Sequence, residues 1–379
     1  MDRKIIGVLV ILVALSSVES YYATLQNVNS ARIPEFALNA QQTSTSQTSI
    51  LVDGAFALYP LMVTWAQQYE SANPNVNIQV SAGGAGKGMS DVLAGQVDIG
   101  MVSRAASQVE VNAGAYPIRV ARAGAVLIVN SQNPVLASLL TQGLSKPVLQ
   151  EIFIYGNVTN WGQAVNDPLS PVNKIDVYTR SDSSGLADTW AKFLGKTQDD
   201  LQGVGVYGDP GMLQAVQSDP IGIGYANLAF AYDNSTGKQV DGITVIPIDY
   251  NNNGRITGSE NFYGNLTSID NAIATGAFPT PPAMDLFLVT KGPPTGATLA
   301  FIIWILTDGQ QYIPKVGLVT LASSAISQEL SQLHATATGT ASVTSSHIQV
   351  PEFSNLAIVA FAAVGASLYV AHTTQKMKL

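Results

Sequence analysis

The sequence contains no cysteine, and only three of its 379 residues are histidine. These are His334, His347 and His372, and all of them lie towards the C-terminus. The preceding body of the chain therefore has no disulfide framework, no thiol chemistry, no histidine-based zinc site and no Ser-His-Asp triad. An enzyme such as a phosphatase is disfavoured, because the body offers neither a metal cluster nor a histidine nucleophile.

Charged side chains are also scarce. They make up 12% of the residues, and the formal net charge is −8. This composition contains no basic surface for binding nucleic acid. The polar residues are mainly serine, threonine, asparagine, glutamine and glycine, which suits a secreted protein.

The N-terminus has the pattern of a secretory signal peptide. Arg3 and Lys4 precede an apolar run at residues 5–15, and small residues follow it. We predict a signal peptide over residues 1–20 and a polar linker over residues 21–49. An uncleaved N-terminal anchor is the alternative.

The C-terminus carries a second hydrophobic segment. Residues 334–350 form a Ser/Thr stalk, and residues 351–379 contain Pro-Glu-Phe, an apolar run and a basic end. This arrangement resembles the archaeal PEF-type sorting tail, and the resemblance implies a tail that is cut and replaced by a lipid anchor. The alternative is a permanent transmembrane helix with its basic end in the cytoplasm. Both readings place the body outside the cell, anchored through this tail to the outer face of the membrane.

Between residues 50 and 333, predicted strands alternate with predicted helices. This alternation indicates an α/β fold with a mainly parallel sheet, in which ligands bind at the carboxyl ends of strands. A glycine turn at residues 83–88 is predicted to open a short helix at Met89–Leu93. Glycines let backbone N–H groups crowd together, and a helix N-terminus attracts anions. The turn therefore predicts a site for a small anion.

Further motifs follow one another along residues 50–330. They are Val52–Leu61 with Trp65, Gly83–Gly88, Gly95–Arg104, Val158–Trp161, Arg180–Gly185, Ile221–Tyr225, Leu286–Gly292 and Trp304–Gln310. In this order they resemble the phosphate-binding, type II periplasmic-binding-protein family. The resemblance implies two α/β lobes with the ligand cleft between them, and delivery of phosphate to the permease of an ABC transporter. We predict lobe 1 over residues 50–130 and 280–333 and lobe 2 over residues 131–279.

The resemblance also implies which residues surround the anion. Arg180 is the strongest candidate, because a guanidinium can bind two oxygens of one anion. Arg104 has two alternatives, which are to face the cleft or to pair with a carboxylate. The full predicted set is Phe56, Ala57, Ala85, Gly86, Ser103, Arg104, Arg180, Ser184, Gly185 and Leu186.

Several of these positions depart from the family pattern. Serine or threonine is usual where this chain has Phe56, Ala57, Ala85 and Leu186. Ser103 stands where some relatives carry an aspartate that accepts the proton of hydrogen phosphate. Sulfate, molybdate or a larger anion is therefore an alternative ligand. A cell-surface structural or adhesion protein that keeps the fold without binding a ligand is the alternative function.

Residues 249–260 match the twelve-residue calcium loop, with Gly254 at the sharp turn. An ordinary turn is the alternative. A calcium ion held here would be structural, and two carboxylates predict a modest affinity. The predicted oxygen ligands are Asp249, Asn251, Asn253, Arg255 through its carbonyl, Thr257 and Glu260.

Overall fold

The structure is a computed structural model that describes residues 47–167 and 174–337. The predicted signal peptide, nearly all of the linker, the stalk beyond residue 337 and the C-terminal tail lie outside these residues. Among the helices of the two described ranges, none combines the length and apolar character needed to cross a bilayer. His334 and the start of the predicted stalk belong to the last described helix, Ser323–Ala337.

Within the described residues, nine strands form one sheet and two short strands form a separate ladder. The order in the main sheet is β2-β1-β3-β11-β4-β8-β6-β7, and β9 also pairs with β4, whereas β5 and β10 form the ladder. The strands are β1 (Thr48–Gly54), β2 (Val76–Val80), β3 (Ile99–Val102), β4 (Ala115–Asn130), β5 (Leu144–Ser145), β6 (Asp176–Arg180), β7 (Val204–Val206), β8 (Gly222–Asn227), β9 (Ile243–Ile246), β10 (Ile248–Asp249) and β11 (Ala283–Lys291).

The sheet is parallel at its two flanks and antiparallel at its centre. β1 pairs in parallel with β2 and β3, and β6 pairs in parallel with β7 and β8. By contrast, β11 runs against β3 and β4, and β4 runs against β8 and β9. The prediction of a mainly parallel sheet is correct for the flanks and wrong for the centre, because there the chain crosses the molecule and returns.

The crossing strand β4 divides the molecule into two lobes. Its residues 115–124 pair with β11, whereas residues 125–130 pair with β8 and β9. We therefore define lobe 1 as residues 47–124 and 283–337, and lobe 2 as the described residues of 125–282. The two-lobed α/β architecture agrees with the predicted fold class.

The helices cover the faces of both lobes. In chain order, the α-helices of the described residues are α1 (Tyr59–Ala72), α2 (Ala85–Ala94), α3 (Gln108–Asn112), α4 (Leu136–Gln142), α5 (Lys146–Gln150), α6 (Trp161–Ala164), α7 (Gly185–Phe193), α8 (Gly208–Ser218), α9 (Leu228–Ala231), α10 (Leu266–Thr275), α11 (Gly296–Leu306) and α12 (Ser323–Ala337).

Helix α1 illustrates how the apolar spacing builds lobe 1. Leu61, Met62, Trp65 and Tyr69 recur at helical intervals and are all buried. The indole Nε1 of Trp65 donates a hydrogen bond of 2.8 Å to the carbonyl oxygen of Gly309. The helix is therefore fixed to the C-terminal part of the same lobe, and the loop before it is held in place.

Helix α2 begins at Ala85 rather than at Met89, so the predicted glycine turn is mostly helix. Gly88, in the first turns of this helix, lies directly on the sheet. A Cβ at Gly88 would lie 2.7 Å from Cα of Gly54 and 2.8 Å from the carbonyl oxygens of Asp53 and Met101. Such close contact of helix and strands is possible only without a side chain. The glycines therefore bring the first turn of α2 against the carboxyl ends of β1 and β3.

Candidate anion-binding site

Segments from both lobes meet at the carboxyl ends of β1, β3 and β6. Lobe 1 contributes the turn after β1, the N-terminus of α2 and Ser103 after β3, while lobe 2 contributes residues 180–185. The backbone N–H of Gly86 donates a hydrogen bond of 3.0 Å to the carbonyl oxygen of Ser183. The predicted segments are therefore brought together across the cleft.

Gly185 makes the second direct contact between the lobes. A Cβ at this position would lie 2.6 Å from the carbonyl oxygen of Ser103. Gly185 is also the first residue of α7, whose first N–H groups have no acceptor within the helix. The positive end of α7 therefore points at the cleft, as does that of α2.

Arg180 lies at the end of β6 with its guanidinium enclosed. Its Nε and Nη2 each donate a hydrogen bond of 2.7 Å to the carboxylate of Asp182. Its Nη1 donates a bond of 2.9 Å to Asp209, and the side chain is 1% exposed. Burial lowers the pKa of Arg180, but the carboxylates of Asp209 and Asp182 raise it by more, so the guanidinium remains charged.

Asp209 is a member of the site that the sequence analysis did not identify. It is buried in the first turn of α8, and its second oxygen accepts the backbone N–H of Asn227 at 3.3 Å. Burial raises the pKa of Asp209 in spite of the neighbouring Arg180. The sequence does carry a signal for Asp209, which is the string Gly-Asp-Pro-Gly at the start of a helix. An acidic residue at such a position caps the helix or pairs with a cation.

Phe56 extends from lobe 1 onto lobe 2. The centre of its ring lies 5.6 Å from the guanidinium carbon of Arg180. It meets the ring of Tyr207 edge-on at 5.6 Å and packs against Gly208. An aromatic ring thus covers one face of the guanidinium where the resembling family usually has a hydroxyl.

The other predicted residues fall into two groups. Ala57, Ala85 and Leu186 are buried in the core, so only their backbone groups can reach an anion. The hydroxyl of Ser184 caps α7 by accepting the N–H of Ala187 at 3.3 Å, while Ser103 stays buried at the contact with Gly185.

Arg104 pairs with a carboxylate, which was one of its two predicted alternatives. Its Nη2 lies 2.6 Å from Oε1 of Glu110, and this pair lowers the pKa of Glu110 to about 2. Arg104 also borders a cavity of about 210 Å³ between the lobes, opposite Lys192 of α7. It is thus near the cleft but separate from the enclosure around Arg180.

Residues 39–309 match the PBP superfamily domain. The chain belongs to the PBP superfamily. Among its relatives, the phosphate-binding protein PstS of Xylella fastidiosa is 28% identical over 337 residues, which are 80% of this chain and 88% of that protein. PstS of Methanocaldococcus jannaschii is 23% identical over 325 residues, covering 72% and 83% respectively.

Two solved structures agree with this chain in fold. A putative phosphate ABC transporter substrate-binding protein from Clostridium perfringens, with bound phosphate, has a TM-score of 0.59 and 21% identity. It covers 73% of this chain and 100% of its own. An ABC-type phosphate transport receptor from Vibrio cholerae has a TM-score of 0.53 and 20% identity, covering 72% and 100%. The type II periplasmic-binding-protein fold predicted from the sequence is therefore confirmed.

The calcium-loop pattern of this PBP-superfamily chain folds into a compact loop. Asp249 accepts the backbone N–H of Gly254 at 2.8 Å and that of Asn253 at 3.2 Å. The carboxylate of Glu260 accepts the hydroxyl of Thr257 at 2.7 Å and the backbone N–H of Asn251 at 3.1 Å. Asp249 and Glu260, at the first and last positions, are both buried.

Apart from the cationic side chain of Arg255, the rest of the loop is built from neutral groups. Asn252 and Gly254 have φ values of 56° and 73°. Arg255 donates its backbone N–H to the side chain of Asn253 at 2.9 Å. Over residues 47–167 and 174–337, no three acidic or histidine side chains gather into a metal cluster. A calcium ion here would thus depend largely on amide and backbone oxygens.

Proposed function

We propose that this chain is an extracytoplasmic, membrane-tethered solute-binding protein that captures phosphate or a similar oxyanion for an ABC transporter. The observation that carries the proposal is that the segment Arg180–Gly185 meets the N-terminus of α2 and begins α7 between the lobes. A guanidinium and two helix N-termini are complementary to an anion. The names of the relatives favour phosphate among the anions.

Arg180 retains donors for such a ligand. A guanidinium has five N–H groups, and the bonds to Asp182 and Asp209 occupy three of them. The remaining two are on the Nη atoms, one on each. Backbone N–H groups of α2 and α7 add donors that do not depend on the side chains lost from the family pattern.

The absence of a carboxylate at Ser103 bears on the choice of anion. A hydroxyl can donate to an oxyanion without a proton, such as sulfate or molybdate, whereas a carboxylate repels it. Asp182 and Asp209 nevertheless lie on Arg180 and bring negative charge close to the ligand. The proposal therefore names the class of oxyanions, with phosphate as its first member.

Titration of the purified protein with phosphate, sulfate and molybdate tests this proposal. We expect saturable binding with a dissociation constant below millimolar for at least one anion. Trp190 of α7, stacked on Tyr225 at 5.6 Å, is an internal fluorescence reporter for the titration. Chloride at equal ionic strength is the control. If none of the three anions binds below millimolar, the proposed function is wrong.

A protein that keeps the fold without binding a ligand is the second candidate function. The observation that favours it is that Arg180 already pairs with two carboxylates and contacts an aromatic ring. An Arg between two buried carboxylates is also a structural ion-pair network. In that case the predicted tether and stalk would present the lobes as a surface module, and the anion titrations would show no binding.

We further propose that residues 249–260 bind one calcium ion. Burial raises the pKa of Glu260, but hydrogen bonds from Thr257 and Asn251 lower it by more, so the carboxylate is ionised. In the part of the chain with described coordinates, Asp249 and Glu260 form no ion pair with a lysine or arginine. A cation would neutralise both buried carboxylates at once. The oxygen ligands come from positions 1, 3, 5, 7, 9 and 12 of the loop, which are Asp249, Asn251, Asn253, Arg255, Thr257 and Glu260.

Calorimetry with calcium tests the metal site. We expect binding with a dissociation constant of about 10⁻⁴–10⁻³ M, as in other extracellular modules. Glu260→Gln should abolish the heat, because it removes the bidentate carboxylate, while Glu151→Gln serves as a control outside the loop. Equal heats for the parent protein and Glu260→Gln would contradict the proposal.

A further inference from the structure

Gln198 holds two peptide groups of the segment Arg180–Gly185. Its Nε2 donates a hydrogen bond of 2.7 Å to the carbonyl oxygen of Asp182. Its Oε1 accepts the backbone N–H of Ser184 at 3.0 Å. The two bonded groups lie on either side of Ser183, so one side-chain amide spans the middle of the segment.

The bonds from Gln198 complement the other contacts of this segment. The N–H of Ser181 donates to the carbonyl oxygen of Val206 at 3.0 Å, and the carbonyl oxygen of Ser183 accepts the N–H of Gly86 from lobe 1. Gln198 binds between these two points. For the two peptide groups that it holds, the described residues offer no other hydrogen-bonding partner.

The turn that carries Gln198 is itself held in place. It is a 3₁₀ turn, Gln198–Asp200, and the carboxylate of Asp200 accepts the N–H of Thr197 at 2.9 Å and its hydroxyl at 2.8 Å. Helix α7 ends at Phe193, so the chain returns along the helix and places Gln198 at the helix N-terminus.

The residues that follow Ser184 provide backbone donors for an anion. Gly185 and Leu186 are the first two residues of α7, and their N–H groups have no acceptor within the helix. The directions of these N–H groups depend on the preceding peptide planes, which the bonds from Gln198 fix. This dependence matters in this chain, because Ala85 and Leu186 supply no hydroxyl and backbone donors must replace it.

We propose that Gln198 is a positioning residue for the anion, which holds residues 182–184 so that the first N–H groups of α7 point into the cleft. The inference rests on the proposed function, because it assigns these N–H groups to the ligand. A side-chain amide is suited to this role, since it donates and accepts at once without carrying a charge. Without it, the segment samples orientations in which the donors do not converge, and only the remaining fraction of molecules binds.

Gln198→Met tests the inference, because it keeps the length of the side chain and removes both hydrogen bonds. If about one molecule in ten then holds the segment correctly, the dissociation constant for phosphate rises about tenfold. Without phosphate, deuterium exchange of the Ser184 amide should become at least about tenfold faster, because its acceptor is lost. Calorimetry measures the affinity, and mass spectrometry of peptides that cover Ser184 measures the exchange.

Gln202→Met is the matched control. Gln202 follows the same turn, and its Nε2 donates a hydrogen bond of 2.6 Å to the carbonyl oxygen of Ile154, outside the anion segment. This variant should lose a similar amount of stability against urea and bind phosphate as the parent does. Gln198→Asn has an amide on a side chain one methylene shorter, which cannot reach both peptide groups. It should fall between Gln198→Met and the parent, and it serves if the methionine variant is poorly folded.

The parent and the variants separate the two proposals. Weaker phosphate binding and faster exchange in Gln198→Met, with neither change in Gln202→Met, support the inference. Unchanged affinity or unchanged exchange at Ser184 overturns it, as does equally weakened binding in Gln202→Met. If the parent itself binds no anion, the proposed function fails and the role of Gln198 fails with it, whatever the exchange shows.

Discussion

Replacement of Arg180 by methionine is expected to abolish anion binding and to lower the free energy of unfolding by about 3–5 kcal/mol. The stability effect arises because Asp182 and Asp209 would remain buried without their shared cation. The binding effect arises because two charge-assisted hydrogen bonds are lost, each contributing about 1.5–3 kcal/mol. The dissociation constant should rise at least a hundredfold, since about 1.4 kcal/mol is tenfold.

Urea denaturation and calorimetric titration measure the two effects separately. The double variant Arg180→Met with Asp209→Asn is the control, because it also removes one of the two uncompensated charges. We expect it to regain part of the lost stability but none of the anion binding. A single variant that binds phosphate as tightly as the parent would show that Arg180 is purely structural.

Gly88→Ala and Gly211→Ala are expected to change stability in opposite directions, although both replace a glycine inside a helix. At Gly88 the new Cβ would meet three backbone atoms at 2.7–2.8 Å, none of which can rotate away. Overpacking of this kind costs about 1–3 kcal/mol. At Gly211 of α8 the nearest atom is 3.9 Å away, so alanine should stabilise by about 0.5–1 kcal/mol.

The midpoints of thermal or urea unfolding measure this difference directly. Gly88→Ala should also weaken anion binding, because it moves the first turn of α2 away from the ends of β1 and β3. Gly211→Ala should bind as the parent does. If Gly88→Ala were as stable as Gly211→Ala, the close packing of α2 on the sheet would be incorrect.

The sequence predicted the local elements well where apolar periodicity is strong. Apolar spacing predicts a helix over Leu58–Tyr69 and a strand over Val76–Val80, and the structure has them at Tyr59–Ala72 and Val76–Val80. The predicted start of α2, at Met89, lies after the observed start at Ala85. Closely spaced glycines indicate a turn as long as their contact with the sheet is unknown. The antiparallel centre was missed for a related reason, since strand direction depends on which distant segment pairs with β4.

The candidate site was predictable as a set of segments but not as a network of side chains. The ordered motifs assign Gly86, Ser103 and Arg180 to one site from the sequence alone. The partners of Arg180 were not predictable, because Asp209 lies far along the chain and its burial depends on how α8 packs. The position of Phe56 over the guanidinium likewise depends on the approach of the two lobes.

The single continuous strand β4 determines how the lobes can move. Its residues on both sides of the junction at Gly124 and Ala125 are hydrogen-bonded to neighbouring strands. A loose linker would allow the lobes to tumble independently, whereas a strand within a sheet permits only bending and twisting. The lobes are therefore coupled through the backbone of a hydrogen-bonded strand, and their relative orientation changes only as far as this strand bends or twists.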